Sequence, residues 1–149
     1  MKPVVSDQSQ PVRHNYCFGC GPDNSEGMQL EFEFDEAAGK VTCDLSLGDR
    51  YTGPPAYCHG GIIATLLDEV MAKLNKLRGV TAVTSEMTVK YLRPVPLQTH
   101  LRVEAREVRI EGRRRFREAE LSRSDGEVLA RGQGIFVTVD PERIFARSG

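Results

Sequence analysis

Hydrophobic positions along this chain change rhythm twice. In GMQLEFEFDEAAGKVTCDLSL, residues 27–47, they alternate with polar ones. Met28, Leu30, Phe32 and Phe34 stand before a glycine-containing turn, and Val41, Cys43, Leu45 and Leu47 after it, which predicts a β-hairpin. GDRYTGPPAY, residues 48–57, cannot continue a strand. The period then lengthens. In YCHGGIIATLLDEVM, residues 57–71, and on to Leu77, the apolar positions Ile62, Ile63, Leu66, Leu67, Val70, Met71, Leu74 and Leu77 gather on one broad helical face. Alternation returns after Thr81 in four long segments, roughly Ala82 to Leu92, Leu101 to Ile110, Arg113 to Ser122 and Val128 to Val139. In the second of these Leu101, Val103 and Ala105 give way to Val108 and Ile110, so a bulge near Arg106 is expected to bend the sheet. One long apolar helix beside a single antiparallel sheet is an α+β layout, and the sheet buries its apolar face only by wrapping around that helix.

At 149 residues the chain has room for one domain with a real core. Residues 1–14, polar and proline-dotted, are expected to be a mobile tail, and 15–149 the single domain. A net charge of -1 gives no electrostatic reason to expect nucleic acid or an anionic membrane as a partner. No apolar run reaches the ~20 residues of a membrane span, and the N-terminus lacks the apolar region of a signal peptide, so a cytoplasmic protein is expected. Its four cysteines then read as thiols.

The chemistry gathers on the helix. Glu69 and Lys73 form an i,i+4 pair in the favourable order, which accounts for Glu69 on a charged edge with Lys76. Asp68 points instead to a strip of Ala64, Thr65, Ala72 and Asn75, with no cation one turn away. Most helical carboxylates are merely solvated. His59, Gly60 and Gly61 change that weighting, because they sit where the first backbone N–H groups of the helix point outward and can hold a developing oxyanion.

GPPAYCHGGIIATLLDEV and the following AVTSEMTVKYLRPVPL resemble the hotdog-fold acyl-CoA thioesterases of the PaaI-like and THEM4-like branch, and CFGCGPDNSEGMQLEF resembles an element often found there. The similarity runs from about Cys17 to Val139. It implies a curved antiparallel sheet wrapped around one long central helix, association as a homodimer or homotetramer, and hydrolysis of an acyl-CoA to a free acid and CoA. It also implies no cofactor, coenzyme A being part of the substrate. The family's HGG motif falls on His59, Gly60 and Gly61, its catalytic carboxylate on Asp68, and its strand threonine on Thr84. Where some related enzymes carry an asparagine six residues before the histidine, this chain has Gly53.

Gly60 and Asp68 are eight residues apart, about 12 Å along a helix at ~1.5 Å per residue, whereas both must reach one carbonyl group. The active site is therefore expected to be shared between two chains. Asp68 would act as general base or as nucleophile. Thr84, placed by strict alternation on the polar phase with Glu86 and Thr88, would hold the water. Gly61 and Arg93 are assigned to substrate binding. Lys90 and Arg113 to Arg115 are further candidates for CoA phosphates, although Glu104, Glu107, Glu111, Glu118 and Glu120 interleave with the arginines as solvated cross-strand pairs would. Cys17 and Cys20 make a CxxC, but without a second CxxC a zinc site would need His14 and Cys43 or Cys58. A glycine-turned strap onto the sheet is preferred and no metal is assigned. His100 has no expected role. The rival function is a non-catalytic acyl-CoA binding or sensing module on the same fold.

Overall fold

The computed structural model describes residues 14–145. Six strands form one antiparallel sheet: β1 (Glu33–Asp35), β2 (Lys40–Leu45), β3 (Ala82–Tyr91), β4 (Leu101–Glu111), β5 (Arg114–Arg123) and β6 (Val128–Thr138). Their order across the sheet is β1-β2-β4-β5-β6-β3. Helix α1 (Gly60–Ala72) lies on the concave face, followed by the short α2 (Leu74–Arg78), and α3 (Pro141–Phe145) follows β6. The expected tail lies outside the described residues except for His14.

The apolar face of α1 buries Ile63, Leu66, Leu67, Val70 and Met71. Facing them are Val41 and Cys43 of β2, Leu101, Val103 and Ala105 of β4, Ala119 and Leu121 of β5, and Ala130 and Phe136 of β6. Close approach is possible because β6 carries glycine at its helix-facing positions. A Cβ on Gly132 would stand 3.2 Å from Leu67 Cβ, and one on Gly134 would stand 3.2 Å from Met71 Sδ.

The hairpin is shorter than the alternation predicts. Gln29 has φ 51, a left-handed conformation incompatible with a continuous strand, so Met28, Leu30 and Phe32 reach the core from an irregular strap and only Glu33–Asp35 pairs with β2. The four later strands lie close to where the pattern places them. The bulge in β4 falls between Glu107 and Arg109, making Val108 the extra residue. A second bulge, between Thr84 and Glu86 in β3, has no counterpart in the hydrophobic pattern.

The displaced bulge in β4 corrects the reading of Glu107. Kept in phase with Leu101, Val103 and Ala105, it turns inward, with its side chain only 3% exposed. Arg117, itself buried, donates from Nε to Glu107 at 3.1 Å and from Nη1 to the Met71 carbonyl at 2.9 Å and Asn75 Oδ1 at 2.8 Å. Its guanidinium lies 4.7 Å from the Phe136 ring centroid. Glu107 also meets Arg115 at 3.0 Å, so Arg115 is part of the interior and not a free phosphate ligand. The helix interrupts at Lys73, and the Arg117 side chain reaches the carbonyl of Met71 just before that break.

Removing one partner of a buried ion pair strands the other. Arg117→Met is therefore expected to lower the unfolding free energy by about 3 kcal/mol in urea titration, with only part of the loss recovered in Glu107→Leu/Arg117→Met, which leaves Arg115 without its Glu107 partner. Burial pushes the Cys43 and Cys58 thiols up to about 11. Unfolded thiols ionise from about 8.5, so the contribution of these two is full below that pH. Denaturation midpoints should fall as pH rises from about 9 towards 11.

Candidate active site

The loop entering α1 is folded tightly on itself. Thr52 bridges to Cys58 and Tyr57 to Pro96, and Gly53 N donates to Tyr57 O at 2.9 Å. Cys58 N donates to Val95 O at 2.8 Å and His59 N to Tyr51 O at 2.9 Å, which fixes the chain as it arrives at the helix. His59 is the N-cap, in extended backbone geometry (φ -62, ψ 135). Its Nδ1 accepts from Gly61 N at 2.9 Å, so the ring nitrogen facing the helix is unprotonated there. The N–H groups of Ile62 and Ile63 donate to His59 O. Gly60 N–H is left without a hydrogen-bond partner among the described residues.

Two of the sequence-derived residues thus take distinct places. Gly60 offers a free donor at the positive end of α1, while the Gly61 N–H is engaged by the imidazole. Gly53 packs against His59, where a Cβ would stand 2.7 Å from His59 Cα. No side chain fits at that position in this loop.

Asp68 is half-buried two turns further along α1, and Thr84 Oγ1 donates to its Oδ1 at 2.7 Å. The bulge in β3 makes this bond possible. Thr84 pairs with Phe136 and Met87 with Gly134, both on the helix side of β6, whereas Glu86 pairs with Ile135. Thr84, Met87, Val89 and Tyr91 therefore face the helix, and Thr84 does not share a phase with Glu86 and Thr88. Strict alternation hid this, because the extra residue at Ser85 reverses the phase.

Tyr91, absent from the sequence-derived set, stands at the other end of that face. Its hydroxyl donates to Gly60 O at 2.9 Å, and its ring lies 3.6 Å from where a Cβ on Gly60 would be. Alternation along β3 already sets it in phase with the apolar Met87 and Val89. Arg93 is exposed, its backbone N–H donating to Leu129 O at 3.0 Å and its side chain unpaired among the described residues. Lys90 is likewise exposed. Arg113 donates from Nε to Thr138 O, and Arg114 lies over Phe116.

The i,i+4 pair of Glu69 and Lys73 does not form. Cys17 Sγ lies 3.5 Å from Glu69 Oε1, and Lys73 Nζ lies 3.0 Å from Cys20 Sγ, because the strap folds over this edge of the helix.

Residues 56–130, just over half of the chain, match the Thioesterase superfamily, and the chain belongs to that family. Mouse acyl-coenzyme A thioesterase THEM4 is 31% identical over 121 residues, covering 79% of this chain and 52% of its own. Human acyl-coenzyme A thioesterase 13 is 29% identical over 100 residues, 65% of this chain and 71% of its own. The crystal structure of a thioesterase superfamily protein superposes with a TM-score of 0.74 at 31% identity, over 78% of this chain and 60% of that one. The chain spans about half the length of the THEM4 relatives it matches. The curved sheet around one helix is thus the hotdog fold expected from the motifs. Among the described residues no helix is long and apolar enough to cross a membrane.

The contact between Gly53 and His59 carries its own test. Gly53→Asn should overpack the loop and cost about 1–3 kcal/mol, read as a lowered thermal midpoint.

Proposed function

We propose that this protein hydrolyses acyl-CoA thioesters at two equivalent sites, each built from Asp68 and Thr84 of one chain and Gly60 of a second. The observation that carries the reading is the pairing of a fixed carboxylate with a free donor: Thr84 orients one oxygen of Asp68, and Gly60 N–H has no partner among the described residues. The relatives named acyl-coenzyme A thioesterases support the choice of substrate class.

The edge position of β3 supports a two-chain site. Seven of its ten residues are exposed, including Val83 and Tyr91, while the opposite edge of the sheet is the three-residue β1. An antiparallel pairing of two β3 strands centred on Thr88, with Ser85 as the extra residue, sets Thr84 of one chain opposite Tyr91 of the other. Thr84 holds Asp68 and Tyr91 holds Gly60, so this arrangement brings carboxylate and donor together across the two-fold axis.

In the reaction, Gly60 N–H and the helix dipole polarise the thioester carbonyl. On the general-base route Asp68 takes a proton from water as the water oxygen bonds to the carbonyl carbon. The oxyanion then collapses, the C–S bond breaks, and the proton passes to the CoA thiolate. On the nucleophilic route an Asp68 oxygen bonds to that carbon, expels the thiolate and leaves an anhydride for water to open. In single turnover in ¹⁸O-water, label in Asp68 identifies the second route, in which water opens the anhydride at the Asp68 carboxyl carbon. No cofactor is required by either route. The exposed Lys90 and Arg93 are the residues proposed to meet CoA phosphates.

Asp68→Asn should reduce kcat by at least ~10³ while leaving acyl-CoA binding within a few-fold, measured by thiol release and by titration. Gly60→Pro deletes the N–H at a helix position that accepts proline, and the extended His59 before it is already compatible. An equimolar mixture of the two inactive variants, unfolded and refolded together, should regain about a quarter of wild-type activity, because half the dimers are mixed and each has one intact site. No recovery from a mixture shown to contain heterodimers would sink the shared site.

A further inference from the structure

Outside the catalytic strip, the strap and the charged edge of α1 bring Cys17, Cys20 and Glu69 together, their ligand atoms all within 4.8 Å of one another and each residue half-buried. The sequence suggests only the CxxC, since Glu69 is far away along the chain and reads as one half of a helical salt bridge. The fold turns its carboxylate to the strap instead. The backbone at Gly19 packs directly on that carboxylate, so a side chain there would have to push Glu69 aside, and Gly21 N donates to Cys17 O at 2.8 Å, shaping a tight loop that presents both sulfurs to the helix.

We propose that Cys17, Cys20 and Glu69 form a binding site for a borderline-soft divalent cation of the zinc class, with water as fourth ligand. The donor set, two sulfurs and one carboxylate oxygen, excludes magnesium and calcium as preferred occupants. Zinc bonds of ~2.3 Å to sulfur and ~2.0 Å to oxygen at a tetrahedral angle put sulfur and oxygen about 3.5 Å apart and two sulfurs about 3.8 Å apart. Cys17 Sγ and Glu69 Oε1 already stand 3.5 Å apart, and the rest of the triad closes with side-chain shifts of about an ångström. Charge also balances. Two thiolates and a carboxylate against a divalent ion leave one negative charge, and Lys73, 3.0 Å from Cys20 Sγ, supplies the positive one. The same Lys73 Nζ lies 5.5 Å from the Phe32 ring centroid, a contact that helps hold the charge beside the site. Both thiols give up their protons to bind the ion, so affinity should rise with pH. The alternative partners His14, Cys43 and Cys58 are not part of the triad: His14 faces Asp23, and the other two thiols are buried in the core.

Such an ion would pin the strap to α1 at the residue next to Asp68. The inference does not depend on the hydrolysis reading, and its readouts are independent of activity. The reduced, chelator-treated chain is titrated with cobalt(II) and then with zinc(II). Expected are thiolate-to-cobalt charge-transfer absorption saturating at about one equivalent, its loss on zinc addition, and a raised thermal midpoint with either metal. Cys20→Ser should abolish the charge-transfer band. Glu69→Gln, an isosteric change at a half-buried position, should weaken binding on the order of tenfold or more. A reduced, folded wild-type chain without thiolate-to-cobalt absorption overturns the site, as does a band and affinity unchanged in both variants.

Discussion

A sheet can seat a helix against its concave face only where its own side chains leave space, and here that space comes from Gly132 and Gly134 of β6. With them, Leu67 and Met71 lie directly on the strand backbone, and the sheet curls around α1 until strands at both sides touch it. The rotation of α1 is fixed by that seating. Once Leu66, Leu67, Val70 and Met71 face inward, Asp68 has one direction left, towards β3, where Thr84 receives it. Apolar packing thus decides the position of the polar chemistry.

The periodicities carried much of this plan. A 3.6-residue period and four alternating segments locate α1 and the later strands, and the HGG spacing singles out Gly60 and Asp68. What they cannot carry is a phase reversal. One inserted residue at Ser85 turns Thr84 towards the helix and away from Glu86, and another at Val108 keeps Glu107 inward among apolar neighbours. Glu107 shares its phase with Leu101, Val103 and Ala105, and Arg117 shares its phase with Ala119 and Leu121, yet a charged side chain reads as solvated and the buried pair escapes notice. Tyr91 already shares the apolar phase of Met87 and Val89, but alternation gives no sign of what it touches. Its contact with Gly60 joins elements thirty-one residues apart, a separation no local pattern encodes.

The strap shows the opposite situation. Its hydrophobic residues obey strand periodicity, yet Gln29 leaves the β region and most of the segment packs without a ladder. Side chains from Met28 to Phe32 still reach the core, since alternation describes which side a residue faces and not whether its backbone is paired. The same detour carries Cys17 and Cys20 across α1, which is why Glu69 and Lys73 face sulfur and not each other.

Strand β3 lies at the rim of the sheet with one side of its backbone unpaired among the described residues. A newly folded protomer therefore presents an open ladder of amide and carbonyl groups that any extended peptide can lengthen, the usual seed of amyloid-like stacking. Glu86 and Lys90 on that rim act as charged gatekeepers against indiscriminate additions. The proposed docking of a twin would close the ladder altogether, so the contact that completes catalysis would also govern how long the chain stays vulnerable after synthesis.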